Sequence, residues 1–465
     1  MTEVATPTAT ATVPADAASD HVARPGGLAG LLGTGDHVAV GRLFVVASLL
    51  FLLVGVVAGA LVALEDVDAG NQLFDDAIGQ LASIRITVPV FLFLVPAFLG
   101  LAISVVPLQL GAGTVAFPRA ATASFWAWFL SGGVLLAGYV INGGPTGADL
   151  DGQLLWIVGM GGVLVSLTLA TVCVLTTLWA LRTAGMGLDR TPYFSWSMLV
   201  AGSVWLLTLP VLLGLVVLAY IQVRYGNPEA GTAYARLGLA FGIPAAFAWS
   251  LPLLGALLDV AGTAGRTRLR FHGALLGAVA LFGLLTFPGD MLVAFEDAES
   301  PIFQDFLYVV ASFVAVLPLL VVAGAVADGL RRGRARVRAP LVLGLAAFLV
   351  LLLGAAANAV RVVDNLDLTG TPADAGVTHL AWTAGLLGVV AAVHHWSTKV
   401  FGVVLKDGLG YLAGLALLGG GVLTGAAWFV LGFLDADDDA VEVLNIVAFV
   451  GWAVLLLGVL AVLVN

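Results

Sequence analysis

The chain has 465 residues, of which 60% are hydrophobic and only 10% charged, with a formal net charge of −10. A water-soluble domain cannot hide that much apolar surface, so lipid is the solvent for most of this protein. The acidic balance and the absence of a basic domain exclude nucleic acid as a partner.

Residues 1–36, opening "MTEVATPTATATVPADAASD", are rich in Thr, Ala and Pro. They lack the basic and apolar regions of a secretory signal and read as a disordered cytoplasmic tail. Residues 37–465 then carry twelve apolar stretches, each of about 20 residues or more, which is enough to cross a bilayer as a helix. They lie near 41–64, 86–110, 123–143, 153–181, 195–222, 237–261, 271–294, 303–327, 340–360, 377–398, 409–432 and 443–464. The connections are short, so one all-α integral membrane domain of twelve helices is expected, with no soluble module. A single cysteine, Cys173, supports neither a disulfide nor a thiolate metal site. Abundant glycine, as in "GLALLGGG" at 414–421, serves close packing of the helices.

Fifteen of the 19 Lys and Arg residues fall in the tail and in alternate loops, the richest holding Arg331, Arg332, Arg334, Arg336 and Arg338. The opposite side holds only Arg85, Arg224, Arg236 and Arg361, and carries acidic runs such as "LEDVD" at 64–68, "FEDAE" at 295–299 and "DADDDAVE" at 435–442. The positive-inside rule places the basic loops and both termini in the cytoplasm, which makes this a multi-pass plasma-membrane protein. The acidic outer face is either simply solvated or a docking surface for a basic soluble partner.

Several motifs carry a family resemblance. "PLQLGAGTVAFPRAATASFW" (107–126), "GMGLDRTPYFSWSMLVAGSVWLLTLPVLLG" (185–214), "FGIPAAFAWSLPLLG" (241–255), "WSTKVFG" (396–402) and "DHVAVGRLFVVASLLFLLVG" (36–55) occur in that order over nearly the whole chain after residue 36. Together they resemble subunit I of the haem-copper oxidases, the cytochrome c oxidase family. The resemblance implies twelve helices in three arcs enclosing two haems and a copper ion, with electrons passed to oxygen.

Family ligands are histidines, and most of the matching positions here hold something else. The low-spin haem histidine of helix two stands eleven residues before a proline; counting back from Pro96, that position is Arg85. A guanidinium has no lone pair to offer iron. In the sixth-helix motif the copper-binding histidine, the proton-passing glutamate and the tyrosine are replaced by Ile243, Ala245 and Phe247. The aspartate expected near "AFPR" is Thr114, and Gly289 and Asp290 stand where helix seven should offer a histidine pair. Helix ten should carry H-x-H near its outer end; the local text, "GVTHLAWTAG", has one histidine, His379, next to that register, which is either a polar residue near the membrane surface or a weak candidate haem ligand. The arginine pair that meets the haem propionates is also absent. No catalytic residue, metal ligand or bound cofactor is therefore expected.

Arg85, Asp290 and His379 are expected near the outer ends of helices two, seven and ten, where buried charge demands a partner. They form a candidate polar cluster in the vacated haem region, with Arg85 paired to Asp290 and with Asn358 joining it. The adjacent His394 and His395, in "HHWSTK", fall about 15 residues further along helix ten, roughly 23 Å deeper at about 1.5 Å per residue. Beside Trp396 and Lys399 they read as an interfacial belt. Three functions remain at this point: a degenerate, structural subunit of a respiratory-type membrane complex; a functional terminal oxidase subunit with atypical haem ligation; and a twelve-helix transporter, against which no interrupted helix pair is seen.

Overall fold

The computed structural model describes residues 33–67, 73–74, 77–145, 147–226, 246–294, 301–435 and 440–465, with side chains at 246, 287–294 and 301–305 outside that description. Most of the tail, Ile243, Ala245 and the side chain of Asp290 thus lie outside the described residues.

Twelve helices are present among the described residues. They are α1 (His37–Glu65), α2 (Ile78–Leu110), α3 (Pro118–Val140), α4 (Leu150–Ala180), α5 (Tyr193–Tyr225), α6 (Ala246–Ser250 and Pro252–Gly265), α7 (His272–Ala294), α8 (Pro301–Val314 and Val316–Arg332), α9 (Ala339–Arg361), α10 (Pro372–Val400), α11 (Asp407–Leu431) and α12 (Ala440–Val464). Eleven are long and apolar enough to cross a membrane, and the described apolar part of α7 is shorter, His272–Thr286. The twelve-helix all-α membrane fold expected from hydropathy is the fold observed.

Local chemistry sets the ends. Asp36 caps α1 by accepting a 3.0 Å hydrogen bond from the Val38 amide, and Asp149 caps α4 by accepting from the Gly152 amide at 2.7 Å. Each satisfies one of the free N–H groups of a first turn. Helix α2 closes on Gly111 and α5 on Gly226, both left-handed (φ 70° and 65°), a conformation glycine adopts at low cost.

Consecutive helices other than α2 and α3 pack side by side, and α12 returns to α1 to close the bundle. Two helices sit inside it: 94% of the most apolar stretch of α2 and of α10 is buried, against 33% for α12. Where α1 crosses α2 the backbones approach closely. A Cβ added at Gly41 would lie 2.3 Å from the Gly100 carbonyl oxygen, and one added at Gly100 would lie 2.6 Å from Phe44 Cβ.

Helix α2 changes character midway. Val88–Leu94 is a π-helical stretch that contains Pro89 and ends two residues before Pro96; at its end the Val95 amide bonds the Val90 carbonyl five residues back. In that register the amide of residue 96 would serve the Phe91 carbonyl, but proline has no N–H. The indole Nε1 of Trp128, from α3, donates to the Phe91 carbonyl at 3.1 Å instead. In a lipid-enclosed core such a carbonyl must find a donor, and the tryptophan supplies it.

Candidate functional site

His379 lies in the second turn of α10 and is 1% exposed. Three tryptophan rings surround it: Trp382 and Trp452 at 4.9 Å between centroids and Trp428 at 5.4 Å, all edge-on. Trp382 follows three residues later on the same helix, so it covers the same face. Trp428 and Trp452 come from α11 and α12. The rings also contact one another, Trp382–Trp452 at 5.8 Å and Trp428–Trp452 at 6.2 Å. Gly59 on α1 lets Trp452 in, since a Cβ there would stand 2.3 Å from the indole ring. Both ring nitrogens of His379, and Nε1 of Trp452, are buried without a hydrogen-bond partner among the described residues.

Arg85 of α2 lies over the outer side of this cage. Its guanidinium carbon is 4.6 Å from the centroid of the Trp428 ring, a cation–π contact. Arg85 and His379 are thus joined through one indole. The acidic neighbour of Arg85 among the described residues is Asp66, at the end of α1, without an ion pair inside 4.0 Å. Asp66 is itself fixed through its backbone carbonyl, which accepts from Asn445 Nδ2 on α12 at 2.7 Å. The expected partner, Asp290, has no described side chain.

Asn358 corrects the expected cluster. Its amide Nδ2 donates to Ser312 Oγ at 3.1 Å, and its Oδ1 accepts from Arg361 Nε (3.2 Å) and Nη2 (3.1 Å). Arg361 is 2% exposed and forms a 2.9 Å ion pair with Asp374 in the first turn of α10. It also donates to the Tyr308 hydroxyl and lies over that ring, 5.7 Å from its centroid. Asn358 therefore sits in a second polar cluster, with Ser312, Tyr308, Arg361 and Asp374, because a buried guanidinium nearby offers two donors to its carbonyl. The sequence signal for this cluster was Arg361 itself, one of four basic residues on the acid-rich side.

Phe247 is buried, edge-on to Phe282 at 6.5 Å. Thr114 lies in the connection between α2 and α3, its hydroxyl buried without a described partner. His272 packs against Tyr193, the ring centroids 4.6 Å apart and the planes tilted by 53°. His394 and His395 line a cavity at the far end of α10. Among the described residues no group of three or more His, Cys, Asp or Glu could hold a metal ion.

The family model of cytochrome c and quinol oxidase polypeptide I matches residues 39–461, almost the whole membrane domain. The chain belongs to the cytochrome c and quinol oxidase subunit I family. It is 23% identical to cytochrome c oxidase subunit 1 of Thermostichus vulcanus over 461 residues, 92% of this chain and 83% of that one. It is 27% identical to the haem-copper oxidase subunit I+III of Aeropyrum pernix over 421 residues, 83% of this chain and 50% of that one. With cytochrome c oxidase subunit 1 of Corynebacterium diphtheriae it shares 29% over 290 residues, 57% of this chain and 51% of that one. The chain thus spans about half the length of the latter two relatives. Membership fixes the frame in which Arg85 and His379 are read: they belong to the second and tenth helices of an oxidase subunit I fold. The transporter reading falls away.

Proposed function

We propose that this chain is a haem-free and copper-free member of the oxidase subunit I family, acting as a structural subunit of a respiratory-type complex. Its basic loops and termini face the cytoplasm in the plasma membrane. The observation that carries this reading is the Arg85–Trp428–His379 arrangement. Arg85 stands at the axial-ligand position of helix two and is held against Trp428. A guanidinium is protonated and donates only, so it cannot ligate iron. His379 is ringed by three indoles, the nearest at 4.9 Å. These residues do not fit an axial pair for a low-spin haem.

A subunit without a redox centre still offers two things to a complex. Its outer helices present apolar faces to lipid and to other membrane subunits. Its acidic face offers electrostatic attraction to a basic soluble partner, an association that weakens as salt rises.

One observation favours a second reading, a terminal oxidase subunit with atypical ligation: the two imidazole nitrogens of His379 lack partners among the described residues. An absorption spectrum and metal analysis of the purified full chain separate the two. The first reading expects neither a Soret band nor stoichiometric iron or copper. Stoichiometric haem, lost in a His379→Phe variant that still folds, would overturn it. Co-purified membrane subunits identify the complex.

A further inference from the structure

The opposite end of α10 carries a feature that the redox frame does not use. A cavity of about 450 Å³ opens at the basic face, where α6 and α10 end and α9 and α11 begin. Its charged wall holds Arg266, Arg336, Arg338, His395 and Asp407. We propose that this cavity binds the phosphate of an anionic membrane phospholipid.

Charge comes first. Three guanidinium groups line the cavity against one carboxylate. None of the three arginines has an ion-pair partner within 4.0 Å among the described residues, whereas Arg332 nearby is paired with Asp328 at 2.7 Å. The one carboxylate is partly occupied, since Asp407 Oδ1 accepts from the Ala339 amide at the start of α9 at 3.2 Å. Arginine is suited to phosphate because its planar donors engage two oxygens at once.

The wall is also built before any ligand arrives. The Arg336 amide donates to the Ala264 carbonyl at 3.0 Å, pinning the arginine-rich loop to the end of α6. Gly333 makes that crossing possible, because a Cβ there would lie 2.0 Å from the Gly265 carbonyl oxygen. Across the cavity the Tyr411 hydroxyl donates to the Val337 carbonyl at 3.2 Å. Arg266 holds a left-handed backbone (φ 53°), a conformation that a glycine would adopt without strain and an arginine does not.

The two histidines divide their roles. His394 Nδ1 lies 2.8 Å from the Val390 carbonyl, which makes it the donor, so Nε2 is left to accept from Asn465 Nδ2 at 3.0 Å. His394 is a fixed, neutral wall. His395 packs edge-on to Trp396 at 5.0 Å and has no hydrogen bond to the protein among the described residues, which leaves its ring free to donate to a ligand.

A lipid, and not a soluble anion, is the occupant that the rim fits. Val404, which lines the cavity, is 79% exposed, and its neighbours Val337 and Val403 are 68% and 51% exposed. Exposed valines beside arginines belong at the headgroup level, where acyl chains cover the one and phosphates meet the other.

The test uses the purified full chain in a neutral detergent. Short-chain phosphatidylglycerol, short-chain phosphatidylcholine and glycerol phosphate are titrated while the thermal midpoint is followed. Phosphatidylglycerol is expected to raise it saturably and the other two not. Basic residues near an anionic lipid surface contribute about fivefold each in affinity, so R266Q/R336Q/R338Q should weaken the response about a hundredfold. The charge-matched variant R270Q/R331Q/R334Q, outside the cavity, should keep it within about threefold. Equal weakening by both triple variants would reduce the effect to general surface potential and overturn the site. An equal response to phosphatidylcholine overturns the anion selectivity, and an equal response to glycerol phosphate overturns the lipid assignment. All six arginines are exposed, so folding is checked by the midpoint without lipid.

Discussion

Neutralising Asp374 should destabilise the protein more than removing the whole ion pair. Arg361 is 2% exposed and its carboxylate partner is 2.9 Å away, so Asp374→Asn leaves a buried guanidinium without a counter-ion. Breaking a buried pair from one side costs about 3–5 kcal/mol. Arg361 retains the Asn358 carbonyl and the Tyr308 hydroxyl as acceptors, which places the cost near the lower end, about 3 kcal/mol. Asp374 also accepts from the Gly370 amide at 2.7 Å, but an asparagine oxygen can keep that bond. The double variant Arg361→Met/Asp374→Leu removes both charges and should lie within about 1–2 kcal/mol of the parent, the residual being the Asn358 carbonyl left short of donors. Thermal and denaturant unfolding of the three proteins in the same detergent gives the comparison. A double variant less stable than Asp374→Asn, or an Asp374→Asn protein within about 0.5 kcal/mol of the parent, would refute the assignment of this pair as a buried, mutually dependent unit.

Other perturbations test the packing. Trp428→Ala removes both the face beneath Arg85 and one wall of the His379 cage, and should cost about 3–5 kcal/mol, while Trp428→Phe keeps a ring and should cost less than half of that by the same unfolding measurement. Gly41→Ala places a Cβ 1.9 Å from Ser104 Oγ and 2.3 Å from a backbone oxygen, so the α1–α2 crossing must open; a loss of folded yield is expected. Gly273→Ala, with nothing within 4 Å, should be neutral or slightly stabilising under the same assay. Trp128→Phe removes the indole hydrogen bond to the Phe91 carbonyl in the π-turn and should cost about 1 kcal/mol, with faster amide exchange around Val95 as the local readout.

Much of the architecture was legible from residues alone. A bilayer imposes a minimum apolar length, so the spans could be counted from hydropathy, and the ordered motifs from 36 to 402 pointed to the oxidase subunit I frame. The frame in turn located Arg85 and His379 on helices two and ten. Partnership was not legible. Position along α9 groups Asn358 with Arg85, yet Arg361, one turn away on the same helix, takes its carbonyl. Likewise counting along α10 puts His394 and His395 at the membrane interface, but the arginines that share their cavity come from connections 56 to 129 residues earlier.

What the sequence determined by itself was the number of helices, their order and alternation across the membrane, and the family. What only the tertiary structure decided was which helices are central and which rings and charges meet. In water an amphipathic pattern tells which side of a helix faces inward. In lipid an apolar residue is at home on the outside as well as the inside, so hydropathy does not report burial: α2 and α12 are both strongly apolar, yet 94% of the most apolar stretch of α2 is buried against 33% of that of α12, and the less apolar α10 is as buried as α2. The Trp cage follows the same rule: three indoles from α10, α11 and α12 converge on His379 through close helix approaches, Gly59 beside Trp452 among them, and that convergence is a property of the packed bundle.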